Sequence, residues 1–239
     1  MSGHSKWSTI KRKKGAADAK RGAAFTRLSK DITLASREGG GVIDMNPALR
    51  LAVKKAKSAN MPSANIDRAI KKGTGDLPGI NYEDFEYEGY GPHSVAILIE
   101  VMTDNKNRTL PEIRSLMTKN GGSLGESGCV NWMFEKKGIF TIQITNIDED
   151  KLMELLENSN IEDIIFDKNI FEIIFLSDDF KSISTIFDNN NIEYDGEISL
   201  VPQNFIQLSL DEANKVIKLL ELIENHDDVQ KVHTNFQIK

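Results

Sequence analysis

One cysteine in 239 residues, Cys129, leaves no internal disulfide to form, and no CxxC or paired Cys/His spacing supplies a zinc site. A reducing compartment and no structural metal are expected. No apolar run approaches the roughly 20 residues that span a bilayer, and the first residues lack the apolar core of a secretory signal. A cytoplasmic protein with no membrane partner follows as the expectation. Acidic side chains are missing from the start too: in MSGHSKWSTIKRKKGAADAKRGAAFTRL the first is Asp18.

The charge that is present is segregated. Residues 1–80 hold 17 Lys and Arg against 6 Asp and Glu, an excess of +11, and the rest holds 13 against 30, leaving a net charge of −6. Clustered cations raise the local potential and favour counterion release from nucleic acid. The segregation therefore points to a polyanionic partner for the basic segment. The alternative is a solvated charged surface, and confinement of the basic excess to one third of the chain favours the partner over it.

Hydrophobic spacing in that segment predicts three helices. Phe25, Leu28, Ile32 and Ala35 line one face of a helix over residues 16–37, stopped by Gly39, Gly40 and Gly41. Lys13, Lys20 and Arg27 are seven apart, and if the helix reaches back to residue 13 they line up beside that stripe. Asn46 as N-cap and Pro47 at the first helical position start a second helix, with Leu49, Val53 and Ala56 inward and Arg50, Lys54 and Lys57 as its basic face. A third runs over residues 62–72, with Ile66, Ala69 and Ile70 inward, and ends at Gly73. Residues 74–79 (TGDLPG) read as a linker.

Beyond the linker the pattern turns to strands alternating with helices. Residues 82–90 (YEDFEYEGY) set Phe85 and Tyr87 against Asp84, Glu86 and Glu88 with period two, a half-buried edge strand. Four β-α-β units follow, with strands at 95–101 and 130–134, 140–144 and 161–166, 170–176 and 192–198, and 205–208 and 232–238. Ser209 and Glu212 form a capping box before the last helix. Two β-α-β units make one ferredoxin-like domain. Residues 167–169 look like a hairpin turn, which favours nesting over tandem order. The expected fold is α+β: a basic helical domain with its arm at 1–78, an outer α/β domain at 79–136 plus 201–239, and an α/β domain inserted at 137–200. The inserted domain is entered through 135–138 and left through 199–202.

Candidate chemistry is sparse. Residues 120–129 (NGGSLGESGC) are glycine-rich, but Cys129 and Val130 follow where a P-loop needs Lys and Ser/Thr. A helix-to-strand loop with left-handed glycines is expected instead. Cys129, with His93 as a conceivable base, opens an apolar strand and reads as core. His226, Asp227, Asp228 and His233 match no metal template. Residues 105–109 (NKNRT) cap a helix through Asn107, with Lys106, Arg108 and Arg114 as a secondary positive spot. No catalytic residue, cofactor or small-molecule substrate is expected. The nucleic-acid-binding set is His4, Lys6, Trp7, Lys11, Arg12, Lys13, Lys14, Lys20, Arg21, Arg27, Arg50, Lys54 and Lys57. Trp7 either packs on the helices or stacks on a base.

Five stretches together resemble the YebC/PmpR family: residues 3–7 (GHSKW) with the basic run after them, 60–75 (NMPSANIDRAIKKGTG), 87–92 (YEGYGP), 103–109 (TDNKNRT) and 121–132 (GGSLGESGCVNW). The resemblance implies a helical N-terminal domain and two α/β domains, one inserted in the other. It also implies one of two roles. Bacterial members are described as probable transcriptional regulators that bind DNA. The mitochondrial translational activator of cytochrome c oxidase and some bacterial members are described as translation factors at the ribosome. Both roles meet a polyanion, and no helix-turn-helix, homeodomain or zinc module argues for base-specific duplex reading. DNA or ribosomal RNA, and with the latter the ribosome, are the expected partners.

Overall fold

The computed structural model describes residues 19–77, 83–167 and 169–239. Three helices open it: α1 (Ala19–Gly39), α2 (Pro47–Ser58) and α3 (Ser63–Thr74). Their shared core holds Ile32, Ala35, Leu49, Val53, Ala56, Ile66 and Ala69, the inward faces that the 3.6-residue spacing marks, together with Ala52 and, from the loop before α3, Met61. Asn46 fixes the α1–α2 corner. Its side-chain oxygen accepts from Leu49 N at 3.0 Å, and its Nδ2 donates to the carbonyls of Ala35 at 2.7 Å and Gly40 at 2.9 Å. An Asn46→Ala protein loses the cap on Leu49 N and both side-chain donations to the α1 end. We expect about 2 kcal/mol of lost stability in urea unfolding. Asn46→Asp, which sets a carboxylate against those carbonyls, should not rescue it.

Gly73 does not end the third helix. The helix continues to Thr74, and Gly75 closes it in the left-handed region at φ 79°. Gly73 is instead the contact point of α3 with α1. A Cβ there would stand 2.3 Å from the carbonyl oxygen of Thr33.

The first sheet unit comprises β1 (Glu83–Tyr90), β2 (Ala96–Thr103), α4 (Lys106–Lys119) and β3 (Ser123–Leu124). The second runs through β4 (Phe134–Gln143), α5 (Glu149–Leu156), β5 (Ile161–Asp167), β6 (Ile170–Leu176), α6 (Phe180–Asn189) and β7 (Tyr194–Pro202). The chain then returns to the first unit with β8 (Ile206–Leu208), α7 (Leu210–Glu224), β9 (Val229–Thr234) and β10 (Phe236–Ile238). The fold is α+β, a helical N-terminal part followed by two sheet units, one inserted in the other. Among the described residues no helix is long and apolar enough to cross a membrane.

The second unit's sheet has the order β5-β6-β4-β7 and is antiparallel throughout, the ferredoxin-like β-α-β-β-α-β arrangement. The first unit's sheet has the order β3-β1-β2-β9. Here the expected strand over 130–134 is absent: Asn131–Met133 is a 3-10 turn, and Phe134 already belongs to the next sheet. β1 takes the place beside β2 instead. The expected entry and exit of the inserted domain, 135–138 and 199–202, are not linkers either. They pair along one ladder from Phe134↔Pro202 to Ile142↔Tyr194. The alternation over 232–238 divides at Asn235, whose buried side chain accepts from Ala96 N at 2.8 Å and separates β9 from β10.

Candidate nucleic-acid interface

The basic helices do not stand apart from the acidic units. On α2, Arg50 and Lys54, at i and i+4, share one face, and Lys55 lies on the other side of the buried Leu51. Arg50 Nη2 meets Asp188 Oδ2 at 2.6 Å, Lys54 Nζ meets Glu193 Oε1 at 2.8 Å and Lys55 Nζ meets Asp195 Oδ1 at 3.4 Å. Lys54 holds the Glu193 carboxyl below its ordinary value. Leu51, on the turn between them, is buried in the core of the inserted unit beside Phe140 and Tyr194.

α1 is fastened to the first unit. The buried ammonium of Lys30 donates to the carbonyls of Glu224 at 3.2 Å and His226 at 2.7 Å, at the C-terminal end of α7 where the helix dipole favours a cation. Arg37 pairs with Asp84. Lys72 of α3 lies in the field of Asp228, Asp104 and Asp227, although burial is the larger influence and lowers its pKa. Between the two sheet units Lys231 donates to Ile198 O and meets Glu197 at 3.3 Å. Burial acts to lower the Lys231 pKa, but the carboxylates around it outweigh burial and raise it.

The expected binding residues therefore divide. Arg50 and Lys54 lie in ion pairs within the chain, while Lys57 is exposed on the same helix. Lys20, Arg21 and Arg27 belong to α1 by their backbone. His4, Lys6, Trp7, Lys11, Arg12, Lys13 and Lys14 lie outside the described residues. Three further cations of these helices stand outside the expected set: Lys55 pairs with Asp195, and Arg68 and Lys71 are exposed on α3.

The secondary spot is mostly occupied. The helix N-cap is Asn105, not Asn107, because its Oδ1 accepts from Arg108 N at 3.2 Å. Arg108 reaches Asp228 at 2.8 Å and Asp104 at 3.1 Å. Asp228 Oδ2 also accepts from Thr109 at 2.6 Å and Thr103 at 3.1 Å. Burial acts to raise the Asp228 carboxyl, but these three donors outweigh it and hold it low. Lys106 sits over the Phe85 ring at 4.5 Å, and Arg114 is exposed. The TDNKNRT motif is thus largely an anchor for the loop after α7.

The glycine-rich loop is a nest for an internal anion. Both oxygens of Glu88 accept its backbone amides: Gly128 N at 2.6 Å, Val130 N at 2.7 Å and Asn131 N at 2.7 Å. Burial would raise the Glu88 carboxyl, but the three amides outweigh it and hold it below its ordinary value. The Cys129 thiol is pushed up by burial and by Glu88, which disfavours a thiolate. His93 faces Glu212 at 3.7 Å. His226 bonds Glu112 and His233 bonds Glu100, each at 2.8 Å.

Fold and surface together define a three-part α+β protein whose basic helical segment is clamped onto two acidic sheet units. A family model described as the TACO1/YebC protein N-terminal domain matches residues 5–76, and one described as the TACO1/YebC second and third domain matches residues 82–236. The chain belongs to the TACO1/YebC family. A probable transcriptional regulatory protein of Natranaerobius thermophilus is 50% identical over 242 residues, covering 100% of this chain and 97% of the relative. One of Desulfatibacillum aliphaticivorans is 51% identical over 239 residues, with the same coverage. The crystal structure of a conserved hypothetical protein from Aquifex aeolicus matches with a TM-score of 0.79 and 39% identity over 93% of this chain and 92% of that one.

Proposed function

We propose that this protein is a cytoplasmic, non-enzymatic regulator of gene expression that binds DNA through its basic N-terminal segment. The observation that carries the reading is the excess of +11 over residues 1–80 of a chain whose net charge is −6. The names of the relatives agree with a regulator. The arm supplies the basic run KRKK at residues 11–14, and Lys57, Arg68 and Lys71 add exposed cations on the helices. If about five phosphates are neutralised, log affinity for duplex DNA should fall with log salt with a slope near −4.5. Fluorescence anisotropy across a salt series measures it. A binding constant indifferent to salt rejects the reading.

A second reading places the same surface on ribosomal RNA, as a translation factor. It is favoured by the lack of any recognisable module for reading duplex bases in the sequence. Crosslinking in cells, followed by sequencing of the attached nucleic acid, separates the two. Promoter DNA without ribosomal RNA selects the first, and ribosomal RNA without promoter DNA selects the second.

A further inference from the structure

The ion pairs between α2 and the inserted unit are more than a fastening. Leu51 already fixes α2, since it is 7% exposed and seated in that unit's aromatic core. The three charged pairs lie outside this anchor, at its solvent edge. Side-chain exposures are 39% and 46% for Arg50 and Asp188, 58% and 71% for Lys54 and Glu193, and 39% and 63% for Lys55 and Asp195. Exposed pairs of this kind add little to stability. Their side chains can also change partners without moving the helix.

The acids are placed one for each cation. Asp188 lies in the last turn of α6, Glu193 directly precedes β7 and Asp195 is the second residue of β7. Asp188 is also held from behind: the Tyr194 hydroxyl donates to its Oδ1 at 3.2 Å while its Oδ2 faces Arg50. A row of carboxylates opposite a basic helix face offers the charge and oxygen acceptors that a row of phosphates would.

We propose that Asp188, Glu193 and Asp195 form an internal phosphate mimic, which nucleic-acid backbone must displace to engage Arg50, Lys54 and Lys55. The inserted unit thereby sets the affinity of the basic segment. The proposal rests on the nucleic-acid reading above. It assigns the inserted unit the role of an autoinhibitory competitor, acting through side-chain exchange on a helix that stays docked.

The test uses the full chain with Asp188→Asn, Glu193→Gln and Asp195→Asn combined, titrated by anisotropy into a short mixed-sequence DNA duplex and a single-stranded RNA. A second triple variant, Asp150→Asn, Glu157→Gln and Asp163→Asn, makes the same change in net charge at exposed positions outside these pairs. We expect the first variant to bind about tenfold more tightly, the order that three weak surface pairs supply together, and the second to change much less. Glu193→Gln alone should show part of the gain, and circular dichroism should show an unchanged fold. Equal tightening by both triples assigns the effect to overall charge and overturns the mimic. Wild-type binding that the first triple leaves unaltered overturns the mimic and keeps the nucleic-acid reading. Binding by none of the three proteins overturns that reading, and the mimic falls with it.

Discussion

A Glu88→Ala protein should lose about 3–5 kcal/mol of stability, at the upper end for a single substitution. The side chain is 4% exposed, yet both of its oxygens accept backbone amides at 2.6–2.7 Å. A charged hydrogen bond of this kind contributes about 1.5–3 kcal/mol, and each amide left buried without a partner costs about 1–3 kcal/mol. The three do not add fully, because the loop relaxes and water enters. Glu88→Gln is not a gentle replacement: its NH2 group would point a donor at a donor. The expected result is a lower urea midpoint in both variants, with faster hydrogen exchange at Gly128, Val130 and Asn131. An unchanged midpoint in Glu88→Ala would sink this account of the loop.

The pH dependence has a definite sign. The folded Glu88 carboxyl titrates below its ordinary value of 4.5, so folding favours its ionised form. This stabilisation is present in full above the ordinary glutamate range. It is lost as pH falls through the folded pKa. Acid unfolding should therefore begin at higher pH in the alanine variant, whose neutral-pH stability already lacks the term.

Glu88 also shows where a sequence reading stops. In YEDFEYEGY it occupies the polar phase of the alternation beside Asp84 and Glu86, both of which are exposed. Period two places all three on one face, and nothing local says that a loop forty residues later folds over that face and takes one of them. The glycines of that loop were legible as a turn. What they wrap was not, because the contact is set by the tertiary approach of β1 and the segment after β3.

The same limit governs the basic helices. Their existence, their inward faces and the Asn46–Pro47 start were legible, because each rests on contacts within a few residues. The pairing of Arg50 with Asp188 spans 138 residues and had no local trace. Charge counting found the segregation and read it outward, toward a partner molecule. The structure turns part of it inward: Arg37, Arg50, Lys54 and Lys55 meet acids of the two sheet units. The break between strands at residues 130–134 was misread for a related reason. Cys129, Val130 and Phe134 are apolar enough for a strand, but Val130 and Phe134 are needed in a small core with Ala96 and Leu98, and a 3-10 turn delivers both to it.

Gly73→Ala should destabilise the helical segment by about 1–3 kcal/mol, against the sign that helix propensity gives. Alanine in a helix interior is favoured over glycine by about 1 kcal/mol, and on an exposed face that term would decide. Here the new methyl meets the Thr33 carbonyl oxygen at 2.3 Å and the Ser36 Cβ at 2.8 Å. The first is helical backbone, which cannot rotate aside as a lysine or methionine end would. α1 and α3 must separate, which strains the packing of Ile32 against Ile66 and Ala69 and the bond from Thr33 Oγ1 to Ala69 O at 3.2 Å. Gly73→Val should cost more, because valine brings two further methyls to the same contact and gains less in propensity. Separation also shifts the neighbouring Lys72 relative to Asp228, so both variants should loosen the hold of α3 on the loop after α7. Urea unfolding, with hydrogen exchange along α3, reads both effects. A Gly73→Ala protein as stable as the parent, or more so, would show that the crossing has slack the geometry denies.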